Sequence, residues 1–409
     1  MTTMTTRGTG LNADRRRERA LALAHARTVV IKVGSAVLSN SQGLDTDVMA
    51  ELARQMAVVR NAAAGRRLVL VSSGAVAAGR AVLAANGQKV EAAGLAARQA
   101  AAAVGQGRLI RVWEDSFAVH GISTAQMLLT RDDLRARARF LNIRNTVAAL
   151  LHAGVLPIVN ENDTVSVSGL KFGDNDCLAS LLVNLADADI FINLTSAPGV
   201  LAADPRRTPD APVMEYIDDA AALDLKQLCG GKTEAGSGGM YSKLLAAGRA
   251  AQIGVPTLIV QGRAPDVLIR AFDLELAGDG DAPTFFDACQ GTWVFPARQA
   301  IPHRKFWIAY QSEPAGDVLV DAGAANALLR TGGSLLPGGV HAVEGSFQKG
   351  ALVRVIHEGQ TLGVGLSNYS AAYLKKIMGL KRHEVAAILG DAHYPEVIHR
   401  DNLLLDAAV

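Results

Sequence analysis

Short apolar runs alternate with longer helical stretches from residue 28 to about residue 262. Apart from Lys32, the runs at 28–33 and 68–71 consist of aliphatic and β-branched residues, which predicts buried strands. Between them, apolar residues recur at helical spacing from Val48 to Val59, with Asp45 or Thr46 as the helix cap. Further strands are predicted at 122–129, 155–159, 189–194 and 257–260. Apolar strands that alternate with helices predict an α/β domain with a largely parallel sheet covered on both faces.

The pattern changes after residue 300, where short strands are separated by glycine-rich turns and by one or two helices. This pattern predicts a second, small and mostly β domain. Its strands are predicted at Phe306–Tyr310, Val318–Val320, Leu352–Ile356 and Thr361–Leu366, and its helices at Ala322–Leu329 and Tyr373–Met378. The predicted divisions of the chain are a flexible N-terminal arm at 1–26 that ends in a short helix, the α/β domain at 27–262, a connecting segment at 263–302 and the β domain at 303–409.

Composition and charge exclude several classes of function. The chain carries 41 Lys and Arg against 39 Asp and Glu, a formal net charge of +2, so a protein that coats nucleic acid is not expected. The cysteines Cys177, Cys229 and Cys289 are too few and too scattered for a disulfide framework or a CxxC metal site. No apolar run reaches the roughly 18 residues of a membrane span, and no signal peptide is evident. We therefore expect a cytoplasmic protein without a membrane partner.

Clusters of glycine, serine, asparagine and aspartate follow several predicted strands at one edge of the sheet. Ligands of open α/β sheets bind at this carboxyl edge, and the N–H groups that glycine exposes form anion-binding concavities. Together the clusters predict a polyphosphate site, although the chain has no complete P-loop. The clusters are Lys32–Ser35, Ser72–Gly74, Asn160–Asp163 and Thr195–Ser196, and the loops Gly173–Asp176 and Gly236–Lys243 each precede a helix.

Some of these residues are candidates on chemistry alone. Lys32 lies in a strand that should be buried, where an ammonium group needs an anionic partner; the alternative is a lysine that reaches solvent from an edge strand. Lys243 is either an exposed helix lysine or a second phosphate ligand. Asp176 is either a helix cap or a functional carboxylate. Asp163 and Ser73 are either turn formers or ligands.

Together these motifs resemble the glutamate 5-kinases of the amino acid kinase superfamily, from about residue 28 to the C-terminus. The C-terminal segments 320–324, 334–340 and 365–370 resemble a PUA domain. The resemblance implies a three-layer α/β amino acid kinase domain with a mainly parallel sheet, followed by a small, mostly β PUA pseudo-barrel. The segments that carry the kinase resemblance are 31–38, 71–80, 127–131, 157–163, 173–176 and 238–243.

The resemblance implies phosphorylation of the γ-carboxylate of L-glutamate by ATP, the first step of proline biosynthesis, with Mg²⁺ held mainly by the ATP phosphates. It implies that Lys32 and Lys243 neutralise the transferring phosphoryl group and that Asp176 orients them. It assigns glutamate contacts to Ser73, Asp163 and Asn175. It assigns nucleotide contacts to Lys32, Gly34, Thr195, Ser196, Ser237, Gly238, Gly239, Met240, Tyr241, Ser242 and Lys243. Feedback inhibition by proline and a homo-oligomeric state are further expectations from the resemblance, which assigns no protein ligand to the metal.

The chain departs from the family pattern after the strand that ends at Leu194. Ser196 replaces an aspartate, Pro198 a lysine and Leu201 a tyrosine, a change that bears on nucleotide affinity or choice. The alternatives to a glutamate kinase are another carboxylate kinase of the superfamily, an inactive nucleotide-binding regulator and a PUA-containing RNA-binding protein. Acidic residues interleaved with the basic residues of the β domain argue against an RNA-binding face.

Overall fold

The apolar run at residues 28–33 forms strand β1 (Thr28–Val33), which is buried along its whole length. It pairs in parallel with β4 (Arg67–Ser72) on one side and with β7 (Ile190–Thr195) on the other. β1 is thus an interior strand with both faces covered, which explains why its residues are almost continuously apolar.

In a computed structural model of the chain, the described residues are 9–88, 94–165, 175–229, 239–272, 291–298, 300–302, 305–306, 308, 314–389 and 394–405. They belong to two units, Met1–Ala300 and Ile301–Val409. Each unit has a hydrophobic core of its own, formed around the strands of its sheet.

An eight-stranded sheet organises the first unit, in the order β5-β6-β4-β1-β7-β9-β10-β8. The pairs from β5 to β9 are parallel, β10 is antiparallel to β9, and β8 is parallel to β10. A mainly parallel sheet confirms the prediction from the sequence. The remaining strands are β5 (Thr124–Leu129), β6 (Leu156–Glu161), β8 (Tyr216–Ile217), β9 (Thr257–Gln261) and β10 (Gly291–Val294), with a small hairpin of β2 (Ser39–Asn40) and β3 (Gly43–Leu44) beside them.

Helices cover both faces of this sheet. Val29, Ile31 and Val33 of β1 pack into the core cluster formed with α3, α5 and α11. Because side chains alternate along a strand, Lys32 points to the opposite face, where α8 contacts β1. The helices of this unit are α1 (Thr9–His25), α2 (Ser35–Leu38), α3 (Thr46–Asn61), α4 (Ala75–Ala85), α5 (Leu95–Ala118), α6 (Arg131–Arg135), α7 (Arg137–His152), α8 (Asn175–Leu185), α9 (Leu225–Cys229), α10 (Met240–Gln252) and α11 (Val267–Ala271).

Two glycines allow α4 and α5 to pack with their backbones almost touching. A Cβ added to Gly79 would lie 1.7 Å from the carbonyl oxygen of Ala101, and one added to Gly105 would lie 1.9 Å from that of Ala75. No side chain fits at such distances, so this contact requires glycine on both helices. The contact fixes the start of α4, which begins directly after the Ser72–Gly74 cluster.

The second unit is built on a five-stranded sheet in the order β12-β11-β13-β14-β15. Its pairs are antiparallel except for β11 with β13. This mostly β unit confirms the predicted fold class of the C-terminal part. Its elements are β11 (Gly316–Val320), α12 (Ala322–Thr331), β12 (Val340–Gly345), β13 (Leu352–His357), β14 (Gln360–Leu366), α13 (Ala371–Ile377), α14 (Arg382–Leu389) and β15 (Leu403–Leu405).

One strand prediction is wrong. Residues 306–310 were expected to be extended, whereas Lys305, Phe306 and Ile308 are helical. The N–H groups of Lys305 and Phe306 donate to the carbonyl oxygen of Pro302 at 2.7 and 3.3 Å. Proline favours the first turn of a helix, and a short apolar run does not by itself distinguish a strand from a buried helical turn.

Parts of the chain outside the predicted α/β domain also contribute to the first unit. The sequence predicts a flexible arm up to residue 26, but Leu23 and Ala26 are buried in the core cluster. Arg19 of α1 is 2% exposed and its guanidinium lies 5.5 Å from the centre of the Trp293 ring. The predicted connecting segment contains α11 and β10, and β10 is a strand of the main sheet.

Candidate active site

Asp176 lies between two lysines that are far apart in the sequence. Its Oδ1 atom is 2.5 Å from Nζ of Lys32, and its Oδ2 atom is 3.0 Å from Nζ of Lys243. The hydroxyl of Ser242 also donates to Oδ2 at 2.7 Å. At most 4% of Lys32, Asp176 or Lys243 is exposed. We call these three residues the lysine–aspartate triad.

Three elements bring the triad together. Lys32 comes from the inner strand β1, Asp176 from the first turn of α8 and Lys243 from the first turn of α10. α8 lies against β1 and packs on α10, so its first turn lies between the two ammonium groups. The central position of β1 excludes the alternative in which Lys32 reaches solvent from an edge strand.

The charges of the triad do not balance. Burial alone would raise the pKa of Asp176, but Lys32 and Lys243 hold it well below its ordinary value. The carboxylate is therefore ionised at neutral pH, and two ammonium groups face one carboxylate. The triad by itself therefore carries a net charge of +1 in a buried place, which suits a site for an anionic ligand.

Asn193 is a partner of Asp176 that the sequence analysis missed. It lies opposite Lys32 in the β1–β7 register and is fully buried. Its Nδ2 atom donates to Oδ1 of Asp176 at 2.9 Å, the same oxygen that Lys32 contacts. In the sequence, Asn193 stands out as the polar residue in the otherwise apolar run 190–194. Its position opposite Lys32 follows only from the pairing of the two strands.

A second group of polar side chains surrounds Asn175, next to Asp176 in the chain. Nδ2 of Asn175 donates to the hydroxyl of Ser73 at 2.8 Å and to Oδ1 of Asn160 at 2.9 Å. Asn160 in turn donates to the side chain of Gln106 at 2.8 Å. Ser73 is held at the end of β1, because its N–H donates to the carbonyl oxygen of Val33 at 3.1 Å. The amide of Asn175 thus links the ends of β4 and β6.

Asp163 lies at the same edge and faces Arg98 of α5 at 3.5 Å. Burial raises the pKa of Asp163 above its ordinary value, and the charge of Arg98 partly offsets this effect. Arg98 is a second residue that the sequence analysis missed. A single arginine on a helix gives no pattern that would have revealed it.

A cleft of about 510 Å³ opens at this carboxyl edge. Its size lies within the ordinary range of ligand pockets. Most of the predicted site residues that the structure describes are brought together here. Those that line the cleft are Lys32, Gly34, Ser73, Asp163, Asn175, Thr195, Ser196 and Lys243. Asp176 contacts Lys32 and Lys243 of this lining, and Ser242 in turn donates to Asp176.

The other predicted nucleotide contacts stay predictions. Gly239 caps α10, and Met240 packs against an apolar cluster that includes Leu244. Tyr241 is half-buried in the first turn of α10. None of these three is among the residues that line the cleft as described. Ser237 and Gly238 lie outside the described residues, as does Gly173.

The described side chains do not form a ready metal cage. Among the described residues, no three His, Cys, Asp or Glu side chains lie close enough together to hold a metal ion. Of the described carboxylates, Asp163 lines the cleft and contacts Arg98, and Asp176 lies against its lining residues Lys32 and Lys243. A divalent cation at this site would therefore need most of its oxygen ligands from a bound phosphate compound. None of the helices in the described segments is long and apolar enough to cross a membrane.

Comparisons with known proteins agree with this architecture. The profile of the amino acid kinase family matches residues 27–261, and that of the PUA domain matches residues 316–389. A glutamate 5-kinase of Nitratidesulfovibrio vulgaris is 57% identical over 393 residues, which cover 96% of this chain and 99% of that protein. A glutamate 5-kinase of Oleidesulfovibrio alaskensis is 56% identical over 97% of this chain and 100% of its own length.

Similarity extends to more distant proteins. A glutamate 5-kinase of Methylobacillus flagellatus is 46% identical over 94% of this chain and 99% of its own length. The crystal structure of an isopentenyl phosphate kinase of T. acidophilum matches with 13% identity and a TM-score of 0.41, over 65% of this chain and 99% of that one, which is too weak to support an argument. The family profile matches more than half of the chain, and the glutamate 5-kinases align with it over nearly their whole length. This chain therefore belongs to the amino acid kinase family and, within it, to the glutamate 5-kinases.

Proposed function

We propose that this protein transfers the γ-phosphoryl group of ATP to the γ-carboxylate of L-glutamate, giving L-glutamyl 5-phosphate, the first step of proline biosynthesis. The observation that carries the proposal is the triad, in which two buried lysines share one carboxylate at a cleft lined by polar side chains. Relatives named glutamate 5-kinase at up to 57% identity support the choice of substrate.

The chemistry of this reaction matches the residues at the cleft. A carboxylate nucleophile is ionised at neutral pH, so the reaction needs no general base. The barrier comes from the repulsion between two anions and from the charge on the phosphoryl oxygens. Lys32 and Lys243 would neutralise that charge, and Asp176 would hold both ammonium groups in position. Lysine suits this role because its ammonium group is a compact point charge.

The Asn175 group supports a substrate site on one side of the triad. We assign glutamate contacts to Ser73, Asn175 and Asp163, which line the cleft near the ends of β4 and β6. The carboxylate of Asp163 is a partner for the ammonium group of an amino acid, and Arg98, at 3.5 Å from it, offers a cation for the α-carboxylate. Hydrogen bonds to charged groups of this kind are worth about 1.5–3 kcal/mol each.

The nucleotide would occupy the other side of the triad. Thr195 and Ser196 line the cleft at the end of β7, and Lys243 lines it from the first turn of α10. We propose that Mg²⁺ enters with ATP and is held mainly by its phosphate oxygens, because Mg²⁺ keeps few protein ligands in such sites. When bound, it would neutralise the charge on the phosphates.

A substrate panel tests the proposal directly. The full chain is given ATP, Mg²⁺ and hydroxylamine, which traps an acyl phosphate as a hydroxamate, with glutamate, aspartate or N-acetylglutamate as acceptor. We expect hydroxamate formation with glutamate at a kcat/KM at least tenfold above that with the other acids. Faster turnover of aspartate or N-acetylglutamate would assign the chain to another carboxylate kinase activity. ATP binding without turnover of any acid would identify an inactive regulator.

Three further expectations come from the resemblance and stay predictions. They are feedback inhibition by proline, a homo-oligomeric state and a cytoplasmic location. The first is tested in the same assay by added proline, and the second by the mass of the protein in solution.

A further inference from the structure

A second cavity lies at the opposite edge of the main sheet, where β1, β4 and β6 begin. It has a volume of about 840 Å³, larger than the cleft at the triad. Arg27, Arg60, Arg66 and Arg67 line it together with His152. We call it the arginine groove. No residue of the predicted active site lines it, and the proposed kinase reaction makes no use of it.

The described residues that line the arginine groove include no acidic residue. Among the described residues, none of its four arginines forms an ion pair with a carboxylate. Asp189 lies close by, but its Oδ2 atom accepts from the backbone N–H groups of Arg27 and Thr28, at 2.8 Å each. Four guanidinium groups therefore meet in one cavity without a matching negative charge from its walls.

Arg66 lines the groove and is only 5% exposed. It donates to the carbonyl oxygens of Ala26 at 2.9 Å and Val59 at 3.0 Å, and its guanidinium lies 4.7 Å from the centre of the Phe272 ring. These contacts give Arg66 a structural role near the ends of α1 and α3. They also fix a permanent positive charge at the groove, because an arginine stays protonated at any ordinary pH.

The other arginines keep donors for a ligand. Arg67 donates from Nη2 to the hydroxyl of Thr28 at 2.7 Å, and Arg60 from Nη2 to the carbonyl oxygen of Gly154 at 2.7 Å. A guanidinium carries five N–H donors, so each contact holds the side chain in place and leaves most donors unused by it. Arg27 directly precedes β1 and Arg67 begins the neighbouring strand β4, and the N–H of Arg67 donates to the carbonyl oxygen of Arg27 at 2.6 Å.

The ends of two helices place partial negative charge near the groove, but this charge is smaller than the positive charge of the arginines. α3 and α7 end next to the groove, and each helix C-terminus acts as roughly half a negative charge. Four arginines supply four positive charges, against about one negative charge from the two helix ends and one from the carboxylate of Asp189 close by. The balance near +2 exceeds what a single carboxylate neutralises and suits the charge of a di- or triphosphate group. Guanidinium groups also match phosphate oxygens in geometry.

We propose that the arginine groove is a second anion site, which binds a di- or triphosphate group, whether free or carried by a nucleotide. The groove is large enough for either. It is separate from the cleft in which ATP would react, so a ligand here would bind at the same time as the substrates.

Calorimetric titration of the full chain with inorganic tripolyphosphate tests this proposal, because that probe also reports binding at the triad cleft. We expect two classes of site in the unmodified protein. The double variant Arg27→Gln/Arg67→Gln should weaken one class by about tenfold or more, the effect of losing charged hydrogen bonds, and leave kinase turnover unchanged. The variant Lys243→Ala should weaken the other class. A double variant Arg207→Gln/Arg330→Gln, which removes two exposed arginines elsewhere, is the charge-matched control.

Each outcome decides the proposal. Equal binding by the Arg27/Arg67 and Arg207/Arg330 variants, or a single class of site that the Arg27/Arg67 variant retains unchanged, would overturn it, whereas a single class that is lost in the Arg27/Arg67 variant would support the groove and count against the triad cleft. Citrate provides a second arm, because it carries a similar charge on carboxylates. Citrate binding in the groove as tight as that of tripolyphosphate would overturn the assignment to phosphate. ATP titrated into Lys243→Ala distinguishes a nucleotide from a free polyphosphate: binding that depends on Arg27 and Arg67 supports the nucleotide form, and its absence supports the free form.

Discussion

The replacement Asp176→Asn removes one charge from the centre of the triad and leaves its shape almost unchanged. In the native protein the carboxylate is fully buried and lies 2.5 Å from Lys32 and 3.0 Å from Lys243. A neutral amide would take away the carboxylate that both buried ammonium groups contact. Breaking a buried pair in this way costs about 3–5 kcal/mol, a large part of a typical folding free energy of about 5–15 kcal/mol.

The pH dependence of this effect has a definite sign. The two lysines lower the pKa of Asp176 in the folded protein below the ordinary carboxyl value. The stabilisation is therefore fully present above about pH 4, near the pKa of an unfolded aspartate, and is lost as the pH falls toward the folded-state pKa. The variant lacks this titration, so its stability should depend less on pH in the acidic range.

Chemical denaturation, followed by fluorescence, measures both effects. Asp176→Asn should lower the free energy of unfolding by about 3–5 kcal/mol near neutral pH, and the exposed control Asp115→Asn by no more than about 0.5 kcal/mol. Adding Lys243→Met to Asp176→Asn should restore part of the loss, because one of the two buried ammonium groups that the carboxylate offsets is then removed as well. A loss below about 1 kcal/mol, or no recovery in the double variant, would refute the reasoning that the charges of the triad depend on one another.

Three further variants test other parts of the structure. Asn193→Leu removes a donor to Oδ1 of Asp176 and should lower kcat about tenfold with little change in either KM; an unchanged kcat would contradict the positioning role. Asn175→Ala should raise the KM for glutamate about tenfold and leave the KM for ATP nearly unchanged, and steady-state kinetics would show the reverse if Asn175 served the nucleotide. Gly79→Val should destabilise the protein by about 3 kcal/mol or more, because its Cβ would clash with Ala101. Gly107→Ala on α5 meets nothing within 4 Å and should be neutral or slightly stabilising; equal melting temperatures for the two variants would contradict the close packing.

The sequence predicted the sheet and one residue of the triad for physical reasons. A continuous apolar run requires a strand buried on both faces, and a lysine within it requires an anion, so Lys32 was identified from chemistry alone. Asp176 and Lys243 each had an ordinary alternative on a helix. The glycines that precede Lys243 in the sequence favoured a phosphate contact for it, and the family resemblance selected both residues. Both lysines contact the carboxylate of Asp176 because of the way α8 and α10 pack. The spacing of residues along the sequence does not reveal this packing.

Other features depend on contacts distant in sequence and could not be predicted from local pattern. Asn193 is a polar residue in an apolar run, and its role follows only from its register with Lys32 across β1 and β7. α1 carries many arginines and resembles a solvated arm, yet Arg19 packs over Trp293. The short strand β10 is separated from β9 by a long stretch of chain, so its place in the sheet is set by tertiary packing rather than by local periodicity.

The central claim is that Lys32 and Lys243 together carry the phosphoryl transfer. The most direct test is the rate of glutamyl phosphate formation, trapped with hydroxylamine, in Lys32→Ala and in Lys243→Ala at saturating ATP and glutamate. We expect each variant to retain cooperative unfolding and to lose turnover by about 100-fold or more, as is usual when a preorganised charge at a transition state is removed. Turnover within about threefold of the native rate in either variant would contradict the claim.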